Sequence, residues 1–179
     1  MNRLFRAAMV LLLAGVGAVV VPASPARAGI LDVSCAPPSS NLNSYHPPLT
    51  NTPRPITVST TALYGPCISL SQPALTSGSR ITSLTTVTSC LDLLRPGSIT
   101  YTITWNTGQH STIISNFTSI VAGAVLTLAS TGVVTSGLFA GDNVLTNFTG
   151  PATDILVCTV GLGTVHSLYT LGTLEITSV

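Results

Sequence analysis

The chain is 179 residues long and only 6% charged, with six arginines, no lysine and five acidic residues. Beyond residue 28 the balance is Arg54, Arg80 and Arg95 against Asp32, Asp92, Asp142, Asp154 and Glu175, a net charge of −2. Such a chain cannot build the basic face that binding to nucleic acid requires. Its abundant Thr and Val are poor helix formers, and its 45% hydrophobic content is too high for a disordered coil.

Residues 1–28 have the pattern of a secretory signal peptide. Arg3 and Arg6 supply the positive start, residues 7–21 an apolar run, and Ala26-Arg27-Ala28 the small residues of a cleavage site. Cys35 lies too far downstream for a lipid anchor, and no later run is long enough to span a bilayer. The expected product is secreted, with no membrane span after cleavage. Residues 29–55 read as a proline-rich N-terminal arm with a first short strand. Pro37-Pro38, Pro47-Pro48, Pro53 and Pro55 remove backbone donors that a sheet would need.

Residues 56–179 read as the antiparallel β domain. Ile56-Thr57-Val58-Ser59-Thr60 alternates, and Gly65-Pro66 closes that strand. In the strand predicted over 80–90, Ile81 and Val87 share a side that Leu84 does not, which a bulge near Ser83 would reconcile. The clearest strand spans 98–106: Ile99, Tyr101, Ile103 and Trp105 fall on one face and Thr100, Thr102, Thr104 and Asn106 on the other. It holds the only Trp, the largest apolar surface available to a core. Residues 107–110 form a turn and 111–121 a returning strand. Further strands are predicted over 124–135, with a bulge or bend at Gly132, then over 144–148, 155–160, 164–171 and 173–179. At least seven short strands with Gly/Pro punctuation predict a single antiparallel β-sandwich or barrel-like domain. The Thr-rich segments that follow Cys67 and Cys158 echo one another, a likeness that chance explains equally well.

Cys35, Cys67, Cys90 and Cys158 all lie beyond the cleavage point. An even number in an oxidising compartment predicts two disulfides, and no Cys-x-x-Cys pair suggests zinc. Three pairings are possible. The favoured one is Cys67–Cys90, bracketing a loop and a strand, with Cys35–Cys158 tying down the proline arm.

The mature region resembles a group of small exported actinobacterial all-β proteins of unassigned function. The likeness lies in Trp105-Asn106-x-Gly108 followed by Ser111-Thr112-Ile113, in residues 131–142 with Gly137-Leu138-Phe139-Ala140-Gly141-Asp142, and in Cys158 followed by Gly172-Thr173-Leu174-Glu175-Ile176. It implies export and a β-fold, and no activity.

No catalytic, cofactor or metal motif is present. His46, His110 and His166 lack sequence-adjacent partners, and no Gly-x-Ser-x-Gly elbow or His-Glu-x-x-His occurs. Asp142, Asp154 and Glu175 are the carboxylates from which an acid pair could be assembled. The expected function is a non-enzymatic binding or cell-envelope-associated module, its partner a protein or polymer at the cell surface or in the medium. The alternatives are an inhibitor of an extracellular enzyme, presenting residues 36–55 or a Cys67–Cys90 loop, and a hydrolase with an unrecognised site.

Overall fold

A computed structural model describes residues 31–178, so the predicted signal peptide lies outside the described residues. In chain order the elements are β1 (Leu31–Cys35), β2 (Ser40–Leu49), β3 (Arg54–Tyr64), β4 (Cys67–Ile68), β5 (Gly78–Thr88), a 3-10 helix (Leu91–Leu94), β6 (Gly97–Trp105), β7 (His110–Ala122), β8 (Val125–Gly137), β9 (Asn143–Pro151), α1 (Thr153–Thr159) and β10 (Val165–Thr177). All strand pairings are antiparallel. The order β2-β3-β5-β6-β7-β8-β9-β10, with β10 pairing back onto β2, is a closed eight-stranded barrel. β1 lies beside the far half of β10, and β4 beside β1. The chain is therefore all-β, and of sandwich and barrel it is a barrel.

Alternation explains the wall. Along β6, Tyr101, Ile103 and Trp105 are buried, while Thr100, Thr102 and Thr104 are exposed. Outward hydroxyls pair across strands: Thr57 with Thr85 at 3.0 Å, Ser59 with Ser83 at 3.2 Å and Thr102 with Thr112 at 3.1 Å. Threonine thus gives β-branched stiffness and a wet outer face without charge.

Two apolar clusters seal the barrel ends. At one end Trp105, Ile103, Ile113, Leu174 and Ile176 pack beneath β1 and β4. The Trp105 indole N–H donates to Ser111 Oγ (2.8 Å), whose hydroxyl donates to the Leu138 carbonyl (2.7 Å), and Phe139 meets the indole edge-on at 6.1 Å. At the other end Leu49, Ile56, Leu126, Ile155 and Val165 pack around Cys90 and Cys158.

Several sequence expectations change. The disulfides are Cys35–Cys67 and Cys90–Cys158, not Cys67–Cys90 and Cys35–Cys158. Cys35 and Cys67 are cross-strand partners on β1 and β4. Between Cys67 and Cys90 runs β5, whose 11 residues carry the chain roughly 35 Å, from one end of the barrel to the other. Residues 40–49 are not an arm but a barrel wall, paired with both β3 and β10. Their prolines fall near the end of β2, where the pairing with β10 shifts register. β5 has no bulge near Ser83: its pairing with β3 is unbroken from Arg54↔Thr88 to Tyr64↔Gly78. Pairing also runs without a shift through Gly132, where a Cβ would collide with the Ile114 carbonyl. That glycine marks a close approach of backbones. Residues 153–159 form a helix where a strand was predicted, with Ile155 and Cys158 buried on one face. The strands predicted over 164–171 and 173–179 are one strand, β10 (Val165–Thr177), which Gly172 does not interrupt.

One seam is incomplete. β5 and β6 are paired only at Gly78↔Trp105 and Ser79↔Thr104. By contrast β3 and β5 are paired along 11 positions and β6 and β7 along eight. Beyond Ser79 the two strand edges separate and leave a lateral window.

Trp105→Ala is expected to cost roughly 3–5 kcal/mol, a large part of the roughly 5–15 kcal/mol that holds a domain together; chemical denaturation measures it. Every second amide of β5 between Arg80 and Thr88, on the edge facing the window, is expected to exchange with solvent far faster than the amides shared by β7 and β8. Hydrogen-exchange NMR checks this.

Candidate ligand-binding cavity

Between the two end clusters the barrel is not filled. A cavity of about 550 Å³ remains, within the range of small-molecule sites. Its walls carry small polar residues, Thr60, Ser130 and Thr146 among them. Leu84 and Ile99 face inward yet are 51% and 38% exposed, because the window between β5 and β6 opens the cavity to solvent beside them. A groove of about 480 Å³ on the same seam shares Thr82 and Tyr101 with the cavity.

The register sorts one wall by polarity. Asn41, Ala62 and Arg80 form one row across β2, β3 and β5. Asn43, Thr60 and Thr82 form the next, and Tyr45, Val58 and Leu84 the one after. The inward face thus changes from charged to apolar over about 13 Å, four residues of strand.

Arg80 is the only cation lining the cavity. Its guanidinium lies 4.5 Å from the centroid of the Tyr101 ring, a cation–π contact. Its Nε is buried without a hydrogen-bond partner, and the one ion pair among the described residues is Arg95–Asp92. Asn41 Oδ1 and Ser119 Oγ, also on the lining, are orphaned in the same way. Buried polar atoms are normally satisfied, so three orphans on one lining are a concentration of unmet bonding.

The other ionisable lining groups are Tyr45, Tyr64, Tyr101 and Asp92. Burial pushes all three phenols above their ordinary value of 10.0. At Tyr101 the neighbouring Tyr64 adds to the rise, and at Tyr64 and Tyr101 Arg80 opposes it. The phenols are thus proton-bearing donors at neutral pH. Asp92 is engaged elsewhere: its Oδ2 accepts from the Ser89 N–H (2.9 Å) and hydroxyl (2.7 Å), and its Oδ1 lies 3.2 Å from Arg95.

The residues singled out in the sequence do not gather here. His46, His110 and His166 are exposed, the last two touching only Thr104 (3.0 Å) and Thr164 (3.4 Å). Asp154 opens α1, and Glu175 is half-buried on β10. Asp142 meets Asp32 instead, and desolvation followed by that neighbour's charge and hydrogen bond raises its carboxyl above the usual range. No group of three or more metal-ligating side chains occurs among the described residues, nor a helix long and apolar enough to cross a membrane. Arg80 was not singled out, though a lone charge sharing the parity of Leu84 on an apolar-Thr strand was the signal.

No protein-family model, curated protein or solved structure matches the chain.

The raised phenols predict an alkaline limit to stability. The folded chain favours neutral Tyr45, Tyr64 and Tyr101, so their contribution is whole below 10.0 and drains as pH rises above it, where the unfolded chain ionises first. Melting points followed from about pH 9 to 12 should fall over the upper part of that range. In parallel, absorbance should show three of the four tyrosines ionising late.

Proposed function

We propose that this protein is a non-enzymatic binding protein that takes a small, largely apolar molecule into the barrel through the window between β5 and β6. The observation that carries this reading is the unfilled stretch of barrel behind that window. Eight strands enclose just enough room either to be filled by side chains or to hold one small ligand. Here the ends are packed and the middle is not. The lining offers fixed donors, a permanent cation and apolar walls, which orient a guest. The expected partner therefore shifts from a surface polymer or protein to a guest inside the fold. Export belongs to the same reading, supported by the pattern of residues 1–28 and by two disulfides that suit an oxidising space. The inhibitor alternative relied on a free 36–55 loop and a Cys67–Cys90 loop, neither of which this architecture provides.

Nile red, an uncharged dye that brightens in apolar surroundings, tests the proposal. The secreted chain should bind it saturably at one site with a blue-shifted emission. Thr82→Trp, placed at an exposed inward position of β5, should abolish that signal without lowering the melting point. No saturable signal from the wild-type protein, or undiminished binding by the variant, would overturn it.

A further inference from the structure

We infer that the guest is an amphipathic monoanion: an acidic head group, of carboxylate type, bound by Arg80, and an apolar body running towards Tyr45, Val58 and Leu84. This rests on the cavity reading above and specifies its ligand. Three observations lead to it.

The first is charge. Arg80 is the one cation on the lining, and the one acid there, Asp92, is already paired with Arg95 and with Ser89. A single guanidinium matches a single negative charge; a dianion such as a phosphate monoester would leave a charge over in a site with an acid on its wall.

The second is unmet bonding at one level of the barrel. Arg80 Nε and Asn41 Oδ1 both lack partners, and they flank Ala62 in the same row. Ala62, between them, is the smallest side chain of that row and is fully buried, so the two polar groups that reach the cavity there are Asn41 and Arg80. A planar carboxylate offers acceptors to the Arg80 fork, whose Nε is the orphaned donor. The Tyr101 ring beneath the guanidinium holds its plane in advance, as bidentate recognition requires.

The third is the gradient. Two rows beyond Arg80 the same wall becomes Tyr45, Val58 and Leu84, and the lining at that end also includes Leu126 and Leu168. A molecule with its acid at Arg80 thus lays its apolar part where water is least well held.

Calorimetric titration with three probes sharing one tail decides it: decanoate, 1-decanol and decyltrimethylammonium. Decanoate should bind one-to-one, the alcohol at least tenfold more weakly, and the cation not measurably. Arg80→Gln should lower decanoate affinity to that of decanol while leaving decanol unchanged, and Arg80→Lys should recover part of the loss. Equal affinity for acid and alcohol, or decanoate binding by Arg80→Gln as tight as wild type, would overturn the head-group assignment and leave the cavity reading standing. Failure of all three probes to bind while Nile red binds would do the same. Failure of Nile red as well would remove the cavity reading with it. The wild-type comparison of acid with alcohol decides the matter even should Arg80→Gln not fold.

Discussion

The pairing of β10 along both of its edges is the constraint on which the rest of this structure depends. One edge takes β9 over residues 171–177, and the other takes first β2 and then β1. Without the β2 contact the sheet would end in two long open edges, with no Asp, Glu, Lys or Arg along β2 or residues 165–171 of β10, the kind that template aggregation. With it, the strands form a tube of a fixed width, and side-chain size at each level decides whether that tube is solid. Trp105, Ile113 and Leu174 fill one end, and the helical segments around the Cys90–Cys158 bridge close the other. Thr60, Ser130 and Thr146, on the lining between the two ends, are small and leave the middle unfilled. The cavity follows from where the sequence places its small residues.

Much of this was legible wherever one face of a strand meets a packed core. Ile99 to Trp105 alternates because Tyr101, Ile103 and Trp105 pack inside and the threonines between them face water. Legibility failed where that premise failed. Ile81, Leu84 and Val87 looked out of phase because Leu84 faces a cavity open to solvent, so β5 is exposed on both faces and its pattern needs no bulge. Ile155-Leu156-Val157 is too short an apolar run for periodicity alone to separate strand from helix. The clue was Cys158 three residues after Ile155, the spacing of one buried helical face. The disulfide pairing depended on which end of the barrel each cysteine reaches. Arg80 escaped notice because no motif surrounds it; its meaning comes from Asn41 and Ala62, 39 and 18 positions earlier, and only the sheet register brings them into line.

A permanent cation inside a barrel needs an energetic account. Removing a guanidinium from water without a partner is costly, and natural cores mostly avoid it. Here the window leaves Arg80 half-buried, so part of its hydration survives, and the Tyr101 face offsets part of the loss. Replacing Arg80 by an apolar residue of similar length would pack the middle better and remove the orphaned Nε. Arg80 thus polarises the cavity at the expense of packing, a local departure from the rule that buried positions are apolar.

The same division governs where the barrel can open. Both barrel ends are cross-linked, by bridges separated by 32 and 68 residues, and closing loops of that length contributes about 4 kcal/mol each. Opening either end would also expose its buried cluster. The β5–β6 seam carries no such bond and is held by only two paired positions. β5 remains fastened to β3 and β6 to β7 whether or not those two positions separate, so the seam is the least costly unit to open. Local opening there widens a passage that already exists, breaks no disulfide and uncovers little apolar surface. Opening is thus easiest on the side of the barrel that carries Arg80, Leu84 and Ile99.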